Sequence, residues 1–246
     1  MSDSDVISYE FPCNEKIRTY LRLEALFHRF DWLAAQDSPV AHHCAIGALF
    51  DLTDATARSD LRNELVQGLE RRRQQTEAGT PRHQHLTDLI HDITRIVGKS
   101  GQSIRENEWL QLIRTRQSLA GGTCEFDLPV LHHWLSMPFA ARHEELQGWV
   151  ASFEPIRNAI QMVIDEIRAN CVVQTLEAKS GSMQYPVNGR RYLLARIELP
   201  RDAEVIPEVS ANKYDAVDPL LEVPTKTTRL HPFKGTVPLH ARLCTR

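Results

Sequence analysis

Arginine is the residue type in this chain best placed to do chemistry. Arg18, Arg22 and Arg29 stand at i, i+4 and i+11, a spacing that puts them on one helix face. That face is opposite an apolar stripe of Tyr20, Leu23 and Phe27. Arg58 and Arg62 repeat the i,i+4 spacing near a second candidate helix. Arg114 and Arg116 precede a Gly121-Gly122 turn, and His132 and His133 follow it. A guanidinium offers a planar donor fork that fits carboxylates and phosphates. These faces are therefore candidate anion sites. The competing reading is solvated helix faces whose arginines pair with neighbours such as Glu15 or Glu64.

Covalent chemistry finds less support. No G-x-S-x-G, H-E-x-x-H or G-x-G-x-x-G pattern occurs. Gly98-Lys99-Ser100 ends like a phosphate loop, but Ile93 stands where that loop needs its first glycine. Cys124 with His132 and His133 has no fourth ligand nearby for a zinc site. Cys124 beside His132 is a candidate thiol nucleophile, with Gly121-Gly122 offering backbone N–H groups. Its plainer reading is a small thiol packed at a tight turn. No metal, no cofactor and no enzymatic activity are expected.

The elements that must hold these residues come from composition and period. The 246 residues carry 29 Lys and Arg against 32 Asp and Glu. That net charge of -3 argues against a strongly basic nucleic-acid binder. No apolar run approaches the roughly 20 residues of a membrane span, and the acidic start lacks a signal-peptide pattern. No membrane insertion and a cytoplasmic location are the expectation. Five widely spaced cysteines suggest reduced thiols rather than a disulfide framework.

The charge is unevenly spread. Residues 1–175 hold 18 basic and 24 acidic side chains, and residues 176–246 hold 11 and 8. Six prolines fall in the first part and seven in the much shorter second. The first part reads as short helices. Asn14 caps a helix bearing Ile17, Tyr20, Leu23, Phe27 and Phe30. Further helices are expected over 59–77 with Ser59 as cap, over 83–97, over 104–119, from Pro129 and from Pro155. After residue 175 the period becomes two: Leu193, Ala195, Ile197 and Leu199 alternate with Tyr192, Arg196 and Glu198. Asn188-Gly189 predicts a hairpin joining this strand to Met183-Gln184-Tyr185. Residues 6–11 read as a strand that joins the same sheet. The expected fold is α+β: a helical domain over 1–175 and a smaller β-rich domain over 176–246, irregular after about 215.

Two stretches carry a resemblance. One is Asn14-Glu15-Lys16-Ile17-Arg18-Thr19-Tyr20-Leu21-Arg22-Leu23-Glu24. The other runs from Gly121-Gly122-Thr123-Cys124 through Phe126-Asp127-Leu128-Pro129 to Leu131-His132-His133-Trp134-Leu135. Both resemble the ZapD (YacF) family of bacterial cell-division proteins associated with the Z-ring. Arg58-Ser59-Asp60-Leu61-Arg62, the segment 160–168 and Ser210 to Tyr214 fit as well, so the resemblance spans roughly 6–214.

The resemblance implies a helical domain followed by a β-rich one, and a homodimer. It implies binding of the C-terminal tail of the tubulin-like GTPase FtsZ, with bundling of FtsZ filaments to promote Z-ring assembly at midcell. The family's tail-binding positions fall on Arg22, Arg58 and Arg114 or Arg116, with Arg18 beside them and a histidine at 132–133. The chain departs from the family after residue 215, where Pro219, Pro224, Pro232 and Pro238 interrupt any alternation. Alternatives from other classes are a helical nucleic-acid-binding regulator, which residues 1–175 disfavour by their acidity, and the Cys124 thiol enzyme.

Overall fold

The computed structural model describes residues 6–57, 60–96, 100–178, 182–186, 192–203, 205–207, 210–211, 215–222, 231–232 and 236–245. In chain order the elements are β1 (Val6–Pro12), α1 (Glu15–Ala34), α2 (Pro39–Thr56), α3 (Leu61–Gln74), α4 (Pro81–Thr94), α5 (Gln102–Glu106), α6 (Glu108–Gln117), α7 (Pro129–Leu135), α8 (Phe139–Val150) and α9 (Glu154–Ala169). Strands follow: β2 (Cys171–Ala178), β3 (Ser182–Pro186), β4 (Leu194–Pro200), β5 (Val205–Pro207), β6 (Ser210–Ala211), β7 (Asp215–Glu222), β8 (His231–Pro232) and β9 (Val237–Cys244). The fold is α+β. By contacts the chain divides into two compact units, Arg22–Met162 and Met1–Leu21 with Val163–Arg246.

The Arg22–Met162 unit is helical. Local chemistry sets its boundaries. Ser38 accepts from the Ala41 amide and Pro39 opens α2, while Thr80 accepts from His83 and Pro81 opens α4. Pro129 opens α7 in the same way. The α2 helix is the core element, since Ala45, Ile46, Leu49 and Leu52 are all fully buried. Its exposed strip mixes Val40 and Cys44 with Asp51 and Asp54, so polarity does not mark the helical period over its length. The expected cap Ser59, the Val97–Lys99 segment and the Asn188-Gly189 turn lie outside the described residues. The Asn14 cap is present: its Oδ1 accepts from the Ile17 amide at 2.9 Å.

The other unit holds an antiparallel sheet in the order β1-β4-β9-β2. Residues 6–12 join β4 with Val6 opposite Pro200. Ala195, Ile197 and Leu199 are buried, as are Leu239, Ala241 and Leu243 of β9. The registers put Ile197 opposite both Tyr9 and Ala241, so these residues share one apolar face. The other face carries Arg196 and Arg242 on Glu198, at 3.2 and 2.9 Å, and Arg168 on Glu10 at 2.7 Å. A second group of strands has the order β3-β7-β5, with β6 and β8 also on β7.

Two readings change. Residues 183–185 do pair as a strand, but with β7 rather than with β4, whose partners are β1 and β9. Hairpin reasoning sees only neighbours in sequence, and here distant strands take both edges of β4. The thiols also differ from expectation: Cys171 and Cys244 form a disulfide across β2 and β9. Their 73-residue separation hides a pairing that the strand register creates. Cys13, Cys44 and Cys124 take no part in a disulfide.

Candidate functional site

Helices α1, α2 and α6 build one charged face in the helical unit. Asp51 and Asp54 lie one turn apart on α2 and so point the same way. From α1, Arg29 Nη1 donates to Asp51 Oδ2 at 3.5 Å. From α6, Arg114 Nη2 donates to Asp54 Oδ1 and Oδ2 at 2.6 and 2.7 Å. The Arg114 guanidinium also lies over the Phe50 ring, 5.7 Å from its centroid. Arg22, two turns before Arg29 on the same face of α1, is exposed. The face thus carries Arg22, Arg29 and Arg114 against Asp51 and Asp54, a net of one positive charge.

The other expected residues fall elsewhere. Arg18 is exposed on α1 and pairs with Glu15 at 3.3 Å, within the other unit. Arg58 lies outside the described residues. Arg116 is two residues from Arg114, so the two point about 200° apart around α6. Arg116 shares its side of the helix with Trp109, and among the described residues it has no carboxylate partner. His132 Nδ1 approaches Glu125 Oε2 at 3.6 Å, and His133 is exposed. Among the described residues, no hydrogen bond or ion pair joins either histidine to the arginines. No hydrogen bond joins His132 to Cys124 there either.

Sequence reasoning missed two features. The first is the aspartate pair, which sits at the end of the unrecognised α2. Its signal was the i,i+3 spacing of Asp51 and Asp54 closing an apolar run. The second is an aromatic cluster linking α6, α7 and α8. Trp109 and Trp134 have centroids 5.5 Å apart, Trp109 and Trp149 5.5 Å, and Trp134 and Trp149 5.8 Å. Trp134 Nε1 donates to Glu145 at 2.7 Å. Behind the cluster, His42 is fully buried and packs on Trp134 and Phe139. Burial, with help from the nearby Arg142 charge, holds its pKa below the ordinary 6.5. Burial lowers His43 as well.

What this arrangement does is hold carboxylates with arginine side chains on an exposed helical face. Among the described residues, no three His, Cys, Asp or Glu side chains converge as metal ligands do. No described helix is long and apolar enough to cross a membrane.

Comparison with known proteins adds an independent line. The family model described as ZapD, cell division protein, matches residues 21–217. The chain is similar to cell division protein ZapD of Azoarcus sp. (strain BH72), with 38% identity over 220 residues, 85% of this chain and 88% of that protein. It is also similar to cell division protein ZapD of Aromatoleum aromaticum, with 39% identity over 227 residues, 87% of this chain and 88% of that protein.

Proposed function

The chain belongs to the ZapD cell-division family, and from that premise we propose that it is a non-enzymatic, cytoplasmic homodimer that binds the C-terminal tail of FtsZ. Binding two tails at once, the dimer cross-links FtsZ filaments and promotes Z-ring assembly at midcell. One observation carries the reading. The Arg22, Arg29 and Arg114 face already grips carboxylates, since Arg114 closes on both oxygens of Asp54. A flexible tail with acidic positions supplies the same group. Each contact is weak and exposed, and paired sites on a dimer raise the effective affinity by avidity. Arg18, Arg58, Arg116, His132 and His133 stand as further candidate contacts.

The test is co-sedimentation of FtsZ filaments with the wild type and with Arg22→Glu plus Arg114→Glu. The double reversal should leave FtsZ in the supernatant. Arg116→Glu alone should retain more bundling, because it points away from the face. Equal pelleting by wild type and double variant would remove this face from the account. Bundling should also fall as salt rises, since exposed charges are screened over about 8–10 Å at physiological ionic strength.

A further inference from the structure

Asp51 and Asp54 are oddly placed. They lie in the last two turns of α2, which has no basic residue in its last turn. Negative charge is unfavourable at a helix C-terminus, where the backbone dipole is itself negative. Burial does not hold them either, as their side chains are 56% and 62% exposed. Yet each takes an arginine from a different helix, Arg29 from α1 and Arg114 from α6.

The geometry of the tighter pair matters. Both oxygens of Asp54 share one nitrogen of Arg114, Nη2. That is not the fork-to-fork arrangement, in which two nitrogens each meet one oxygen. A carboxylate arriving from outside can reach two nitrogens and make the better pair. The Arg29–Asp51 contact is longer still, at 3.5 Å.

Resting on the reading above, we propose that Asp51 and Asp54 are built-in competitors of the acidic ligand. In the free protein they hold Arg29 and Arg114 in place. On binding, ligand carboxylates displace them. The aspartates therefore weaken the binding of any incoming carboxylate by the cost of their own displacement. They also define the ligand they yield to. Side chains at i,i+3 on a helix are about 5–6 Å apart at Cβ. An extended peptide presents same-side residues at i,i+2, about 6.6 Å apart. The favoured ligand is a peptide with two acidic residues at that alternate spacing.

The size of the effect follows from what must be given up. Displacing an exposed ion pair costs on the order of 0.2–1 kcal/mol, a factor of about 1.4–5 in affinity. Asp51→Asn and Asp54→Asn should each tighten binding of a fluorescently labelled, acidic FtsZ C-terminal peptide by about 1.4- to fivefold, read by anisotropy on the full chain. The double variant should tighten it by about two- to twenty-fivefold. Both variants should melt no earlier than wild type, because an adverse helix-end charge is removed. The gain should vanish with a peptide whose carboxylates are replaced by amides. Unchanged or weaker binding in both aspartate variants, alongside lost binding in Arg114→Glu, sinks the competition and leaves the proposed function standing. A gain that persists with the amide peptide sinks it too. Failure of wild type and all variants to bind the acidic peptide overturns both readings.

Discussion

Acidification should loosen the helical unit through one ring. His42 Nε2 lies 3.1 Å from the Ala34 carbonyl. A carbonyl only accepts, so Nε2 carries the hydrogen and donates it. Nδ1 is buried and has no hydrogen-bond partner among the described residues. The cation at Arg142 is held next to it, donating from Nε to Met137 O at 3.0 Å and from Nη2 to Asp37 at 3.4 Å. His143 Nδ1 donates to the same Ala34 carbonyl at 2.9 Å. Protonating His42 would place a second cation in this enclosure, so burial first, and Arg142 next, keep the ring neutral.

The sign follows. Below the ordinary 6.5 the unfolded chain binds a proton that the folded ring refuses, so stability falls as pH drops. The contribution is complete above 6.5 and is lost from there downward toward the lowered folded value. The ceiling is about 1.4 kcal/mol per pH unit for a single ring. Urea unfolding at pH 7.5, 6.5 and 5.5 measures it, with wild type beside His42→Gln, whose amide still reaches toward Ala34 but does not titrate. The variant should be less stable at pH 7.5 and should lose less on acidification. Parallel pH dependences in the two proteins would refute the reasoning.

Other consequences can be checked separately. Leu49→Ala removes a fully buried side chain from α2 and should cost about 2–5 kcal/mol in denaturant unfolding; a loss under 1 kcal/mol would contradict the central place of α2. Gly122→Ala should destabilise the α6–α7 connection by roughly 1–3 kcal/mol, since a Cβ there runs into the Arg116 carbonyl and the Leu119 side chain. Alkylation of the denatured, unreduced protein should label three cysteines by intact mass and five after a reductant, because Cys171 and Cys244 are bonded; five labels without reductant would remove that bond.

Much of the helical unit is legible in the sequence because its helices carry one-sided stripes and ordinary caps. Pro129 marks its helix start with the chemistry that makes it, whereas the helix expected from residue 83 opens two residues earlier, at Pro81 behind the Thr80 cap. The α2 helix is not legible, because its exposed strip carries Val40 and Cys44 beside Asp51 and Asp54, so charge does not mark its period. The α8 helix hides because its inward stripe includes Arg142, a charge that reads as surface until it is seen buried and donating to Met137 and Asp37. In the sheet, β4 announces itself by alternation. The strand β9 forms where Pro238 and His240 interrupt the pattern, and only its position between β4 and β2 explains why Leu239, Ala241 and Leu243 are buried. The arginines of the candidate face are visible as residue types. The i,i+2 spacing of Arg114 and Arg116 on the expected 104–119 helix already sets them on different sides, but the Asp54 partner of Arg114 comes from 60 residues away and is not legible.

The most direct test of the central claim is binding of a synthetic FtsZ C-terminal peptide to the purified chain, read by anisotropy at low and physiological salt. The account predicts saturable binding that weakens with salt and is lost in Arg22→Glu plus Arg114→Glu. Binding that is indifferent to both salt and the charge reversals, or no binding by the wild type, would contradict it.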